Sequence, residues 1–174
     1  FGAEIKKFRS SGVSIIYVGS YFCTNYYLRW VQRYWDSIKK EASEAGISIS
    51  VVVPVAPVDL LSEVKESLMK MSEDIAEIVV NDYGMLRWAG EHLTCPVMMG
   101  RLFMRQTRDP RYEELADETV KIPFSLYSLE NYRRRYRVKG IEMEGFGRKI
   151  DVSELPDGMV MCIHWPWIFM SCGR

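Results

Sequence analysis

The residues of this chain able to do more than pack are four cysteines, two histidines, a few strand-borne carboxylates and two arginine clusters. Cys23, Cys95, Cys162 and Cys172 are widely scattered, with no internal CxxC pair. Cys23 and Cys172 fall in loop-like positions at strand exits, where metal ligands can meet. Cys95 and Cys162 read more simply as small core residues. Asp82 and Glu142 follow or sit in strands and can converge at one end of a parallel sheet. Their distance along the chain says nothing about the gap between their carboxyl groups, so no glycosidase pair is assigned. His164 lies between Ile163 and Trp165-Pro166-Trp167. It either faces a pocket at a strand end or is a hydrogen-bonded core histidine.

The first arginine cluster, Arg101, Arg105, Arg108 and Arg111, surrounds Asp109-Pro110. Pro110 lacks an amide donor and restricts Asp109, which predicts an ordered loop rather than a continuous helix. Its guanidinium groups could hold a carboxylate or phosphate, or pair with Glu113, Glu114, Asp117 and Glu118. The second cluster, Arg133, Arg134, Arg135 and Arg137, is spread around a short helix predicted from a Ser128 cap to Arg137. Without aromatic platforms or flanking glycines it reads as a solvated face. No GxGxxG, P-loop, HExxH or serine nucleophile elbow is present.

The elements that must position these groups alternate between two periods. Val13–Val18, Ile47–Val53, Ile75–Val80, Val97–Met99, Ile141–Met143 and Met159–Phe169 read as strands. The runs are apolar without strict alternation, as in parallel strands covered on both faces. Tyr26–Ala45 (ended by Gly46), Val58–Met71 and Tyr83–His92 read as helices between them. Strand, helix, strand at this spacing predicts βαβ crossovers in an α/β fold of repeated βα units, TIM-barrel-like or an incomplete parallel barrel.

Composition sets outer limits. In 174 residues, 23 basic groups balance 23 acidic ones, which gives no general case for nucleic acid or an acidic membrane surface as partner. No apolar stretch approaches the roughly 18 residues of a membrane span. The cysteine usage fits a cytoplasmic protein with free thiols. Residues 1–174 are expected to form a single α/β domain belonging to a longer chain, since Phe1 stands where Met would and the sequence closes just behind an aromatic run.

Several segments together carry a family likeness. Ile15-Ile16-Tyr17-Val18-Gly19 followed by Cys23, Val79-Val80-Asn81-Asp82-Tyr83-Gly84, Gly100-Arg101 and Thr107-Arg108-Asp109-Pro110-Arg111 are four of them. Gly140-Ile141-Glu142-Met143-Glu144 and His164-Trp165-Pro166-Trp167, with Gly173-Arg174 after it, complete the set. With these the chain resembles the peptidase U32 family, above all its branch of anaerobic ubiquinone-biosynthesis hydroxylase subunits. The resemblance implies a partial or complete barrel and, in the full-length protein, a four-cysteine [4Fe–4S] cluster that this stretch alone does not complete. It places Cys23 as a cluster ligand and Cys172 as a weaker one. Asp82, Glu142 and His164 become candidate catalytic groups, with Glu144 in the same acidic strand motif. Asn81, Arg101, Arg108, Arg111 and Arg174 become candidate substrate contacts. The implied activity is oxygen-independent hydroxylation or another modification of a small aromatic or RNA substrate, in a homo- or hetero-oligomer with a related subunit. A non-catalytic interaction subunit and a U32-type peptidase are the alternatives.

Overall fold

The computed structural model describes residues 7–104, 119–145 and 149–165. The short apolar runs become strands β1 (Ile15–Gly19), β2 (Ser48–Val52), β3 (Glu77–Val80) and β4 (Val97–Met99). They continue as β5 (Thr119–Lys121), β6 (Val138–Glu144), β7 (Lys149–Asp151) and β8 (Val160–His164). Six of them pair in parallel in the order β1-β2-β3-β4-β6-β8, and the sheet curls into an open half-barrel. β5 and β7 form a separate two-stranded parallel sheet that the sequence did not announce. The α/β reading with an incomplete parallel barrel holds. The closed TIM barrel does not: among the described residues the sheet keeps two free edges, β1 and β8.

Side chains alternate across each strand, so the sheet has two distinct faces. Ile16, Val18, Ile49, Val51, Ile78, Val80, Val97, Met99, Ile141 and Met143 point outward into one continuous core shared with the helices. The concave face is not the apolar surface that the runs suggested. Its middle is apolar, with Val52, Val79 and Met98 in contact, but Ser50, Glu77 and Glu142 are buried on the same side.

The helices form where amphipathic stretches meet a stop or a cap. The first helical run opens at Thr24–Tyr26, widens into a π-helical turn over Tyr27–Val31 and continues as α1 (Gln32–Ala45). Gly46 ends it in the left-handed conformation (φ 64°), where its N–H reaches back to Ala42 and Ser43. α2 (Leu61–Met71) follows a 3-10 turn at Val58–Leu60, and α3 (Tyr83–His92) is capped by Asp82. α4 (Leu126–Tyr136) starts earlier than its sequence suggests: the cap is Ser125, whose hydroxyl accepts from Ser128 N.

One irregularity shapes the concave face. Val97 lies opposite Val138 and Met98 opposite Gly140, so Lys139 is an extra residue in β6. Such a bulge re-aims a side chain, and here Lys139 Nζ reaches Glu77 Oε2 at 3.2 Å. No helix among the described residues is long and apolar enough to cross a membrane.

Candidate functional site

At the carboxyl ends of the strands, loops and strand tips converge on one polar cluster, as this fold geometry favours. Gly19 ends β1 at φ 136°, and a Cβ there would lie 2.1 Å from Val52 O, so only glycine lets the chain turn this close to β2. Two residues on, Tyr21 reaches across the concave face. Its hydroxyl donates to Glu142 Oε1 at 3.1 Å and lies 3.4 Å from His164 Nε2. Glu142 and His164 come from adjacent strands: Glu142 pairs with Cys162 and Glu144 with His164 in the β6–β8 register.

Glu142 is 1% exposed. Its Oε2 lies 3.4 Å from His164 Nε2 without hydrogen-bonding to it, and no other partner among the described residues reaches that oxygen. A buried carboxylate oxygen left in this state is costly and is characteristic of sites that complete themselves with a ligand. Burial, then the nearby Glu142, raises the ionisation of the Tyr21 hydroxyl well above the usual phenol range, against a lowering effect of Arg101. Tyr21 therefore stays a proton-bearing donor.

A second ion pair walls the cluster. Arg101, just past β4, holds Glu144 Oε1 through Nη2 at 2.5 Å and through Nε at 3.2 Å, and both side chains are largely buried. The Arg101 guanidinium also sits 5.5 Å over the Tyr21 ring, and Tyr21 meets the His164 ring edge-on. Phe22 and Trp165, each one residue beyond a member of the cluster, expose most of their rings.

Of the residues singled out by sequence, Glu142, Glu144, His164 and Arg101 are thus brought together. Asn81 and Asp82 do other work. Asn81 Nδ2 donates to Val53 O at 2.9 Å while its Oδ1 accepts from Leu102 N at 3.4 Å, tying together the ends of β2, β3 and β4. The tie needs Gly100, where a Cβ would lie 2.3 Å from Asn81 Oδ1. Asp82 Oδ1 accepts from Met85 N at 2.9 Å as the α3 cap. Arg108, Arg111, Cys172 and Arg174 lie outside the described residues.

The expectation of a metal-binding or iron–sulfur site within this chain is corrected for the described residues. Among the described residues no group of three or more His, Cys, Asp and Glu side chains is placed to hold a metal ion. Cys23 is exposed and acts as a helix cap, its Sγ accepting from Tyr26 N at 3.3 Å. Cys95 is buried in the core, as read. Cys162 is partly buried against the small apolar cluster of the concave face, with Sγ 3.8 Å from Tyr17 Oη.

Tyr21, the hinge of the cluster, was missed by the sequence reading, although its place two residues beyond the first strand was a usable signal. Also missed was a second polar group on the same face, deeper only in lying farther from the carboxyl ends of the strands, since Tyr17 and Lys139 are themselves nearly half exposed. There Tyr17 Oη donates to Glu77 Oε1 at 3.2 Å, Lys139 holds the other Glu77 oxygen, and Cys162 completes the row. Comparison with protein-family models, with curated proteins and with solved structures returned no match to this chain.

Proposed function

We propose that this chain is an enzyme, or the substrate-binding part of one, that carries out proton transfer on a small planar polar substrate at the carboxyl ends of β6 and β8. The observation that carries this reading is Glu142, a buried carboxylate with one oxygen held by Tyr21 and the other without a hydrogen bond. That second oxygen is available to accept an N–H or O–H from a substrate, which is the geometric requirement of a general base.

Each neighbour then has a distinct task. Tyr21, kept protonated by burial and by Glu142, donates to the carboxylate and fixes its rotamer. His164 lies beside the Glu142 carboxylate and is only partly buried, so it can pass the proton between the buried base and solvent. Arg101, held in place by Glu144, lies over the Tyr21 ring and keeps it oriented towards Glu142. The exposed rings of Phe22 and Trp165 favour an aromatic substrate, in keeping with the small aromatic substrates of the U32-like proteins that the sequence resembles. A cytoplasmic setting fits the free thiols.

Ligand-observed NMR with a panel of phenols and heteroaromatic amides tests the reading. Binders to the wild-type chain should lose their signal with Glu142→Gln and weaken with Tyr21→Phe. Binders indifferent to Glu142→Gln, or a panel without any binder, would reject it.

A further inference from the structure

The proposed site leaves unused a ladder of aromatic side chains on the opposite side of the first helical run. Tyr26, Trp30 and Tyr34 recur at four-residue steps and remain about two-fifths exposed; Tyr26 stacks on Trp30 with ring centroids 5.8 Å apart, and Trp30 meets Tyr34 in a tilted contact at 4.6 Å. Tyr27, Leu28, Val31, Trp35, Ile38 and Ala42 fill the face turned to the core, and among the described residues the ladder takes no part in that core. Three large aromatic rings aligned on one exposed helix face form the kind of patch that marks an interaction surface.

Charge along the same helix identifies the occupant. From Thr24 to Trp35 there are two cations, Arg29 and Arg33, and no carboxylate. From Asp36 to Ala45 there are three carboxylates, Asp36, Glu41 and Glu44. The two lysines there do not balance them, because Lys39 is already engaged by Asp74 at 2.7 Å. Among the described residues, Arg29, Arg33, Glu41 and Glu44 enter no ion pair, and Glu41 Oε1 accepts a hydrogen bond from Ser37 Oγ at 3.3 Å. One half of the helix is therefore the electrostatic complement of the other.

We propose that this face pairs with the same face of a second copy of the chain, the two helices running antiparallel about a twofold axis beside Arg33 and Ser37. That arrangement sets Arg29 opposite the partner's Glu41, and Trp30 opposite the partner's Lys40 as a cation–π contact. By symmetry each contact is made twice, as in an isologous dimer. A parallel arrangement would instead set like charges side by side.

Sedimentation of wild-type and charge-swapped chains tests the pairing. The wild-type chain should be dimeric at high micromolar concentration, whereas Arg29→Glu and Glu41→Arg should each be monomeric, with unchanged circular dichroism. Mixing the two variants in equal amounts should restore a dimer, because each then supplies the charge that the other needs. General damage to the fold cannot produce that rescue. A monomeric wild-type chain, or a mixture of variants that stays monomeric, would overturn the proposal. So would a monomer whose tryptophan fluorescence is quenched by an oligouridylate, which would assign the face to nucleic acid.

Discussion

The concave face carries two polar clusters built from the same kinds of residue, and they differ in one respect. In the deeper cluster, both oxygens of the buried Glu77 are taken, by Tyr17 and by Lys139, each at 3.2 Å. In the outer cluster, one oxygen of the buried Glu142 is taken by Tyr21 and the other makes no hydrogen bond. A buried carboxylate is tolerated when it is paired, and it is a liability when it is not. The deeper cluster thus behaves as a closed structural layer of the half-barrel. The outer one keeps an unmet need at the carboxyl ends of the strands. The comparison teaches that polarity inside a sheet does not mark a site; incomplete satisfaction does.

The largest expected effect comes from opening the closed cluster. Lys139→Met leaves Glu77 buried with Tyr17 as its remaining partner, and stability should fall by about 3 kcal/mol, measured by urea unfolding. Because Lys139 is itself half-exposed, the loss belongs at the low end of what breaking a buried pair costs. Adding Glu77→Leu to this variant should recover most of the loss, since no buried charge is then left unpaired. A loss below about 1 kcal/mol in the single variant would mean that the deeper cluster is not a closed network.

The outer cluster should answer in the opposite way. Glu142→Gln removes a buried charge whose near basic neighbour, His164, makes no hydrogen bond to it, keeps the oxygen that accepts from Tyr21, and should change stability by less than about 1 kcal/mol in either direction. Ligand binding should nevertheless be lost. A site that trades stability for function shows this separation, whereas a structural carboxylate would show both effects or neither. If Glu142→Gln unfolds the chain as readily as Lys139→Met, the distinction between the two clusters fails.

Much of the framework was legible because it depends on local patterns. Gly46 stops the first helix and Val97–Met99 is a strand because these signals act within a few residues, whereas the Asp82 that stood out as a candidate catalytic group caps α3. The boundaries that slipped did so where a neighbour decided them, as with Ser125 rather than Ser128 capping α4. β5 and β7 are three residues each, too short to show a period. The outer cluster was half visible. Glu142 and His164 stood out as ionisable groups in strands, but Tyr21 joins them only through a turn whose geometry a sequence does not display. Glu77 was hidden inside an apolar run. Lys139 reaches it only because of a bulge in β6, which is set by pairing with β4. The iron–sulfur expectation rested on likeness in sequence, and the Cys23 thiol proves to cap a helix.

The smallest expected effect lies at alkaline pH and sharpens the comparison once more. Both clusters hold a tyrosine whose ionisation is raised above the usual phenol range, Tyr17 and Tyr21, in each case first by burial and then by nearby groups. For Tyr17 those groups are Cys162 and Glu77, and for Tyr21 the main one is Glu142. An acid whose proton is held more tightly in the folded chain contributes stability that is fully present below its unfolded value, about 10 for a phenol. That contribution is lost as pH climbs above this value, because the unfolded chain then releases a proton that the folded chain retains. Tyr17 is 42% exposed, so solvent screening reduces its share, and Tyr21, which is more deeply buried, should dominate. The melting temperature of the wild-type chain should therefore fall between about pH 9 and pH 11 more steeply than that of Tyr21→Phe, with Tyr17→Phe in between. Tyr27, Tyr132, Cys95 and Cys162, whose ionisation is also raised, contribute to the slope in all three chains and cancel in the comparison to first order. Parallel melting curves for the wild-type chain and Tyr21→Phe across this range would show that the Tyr21 hydroxyl is not buried against Glu142, and the outer cluster would lose the contact that orients its carboxylate.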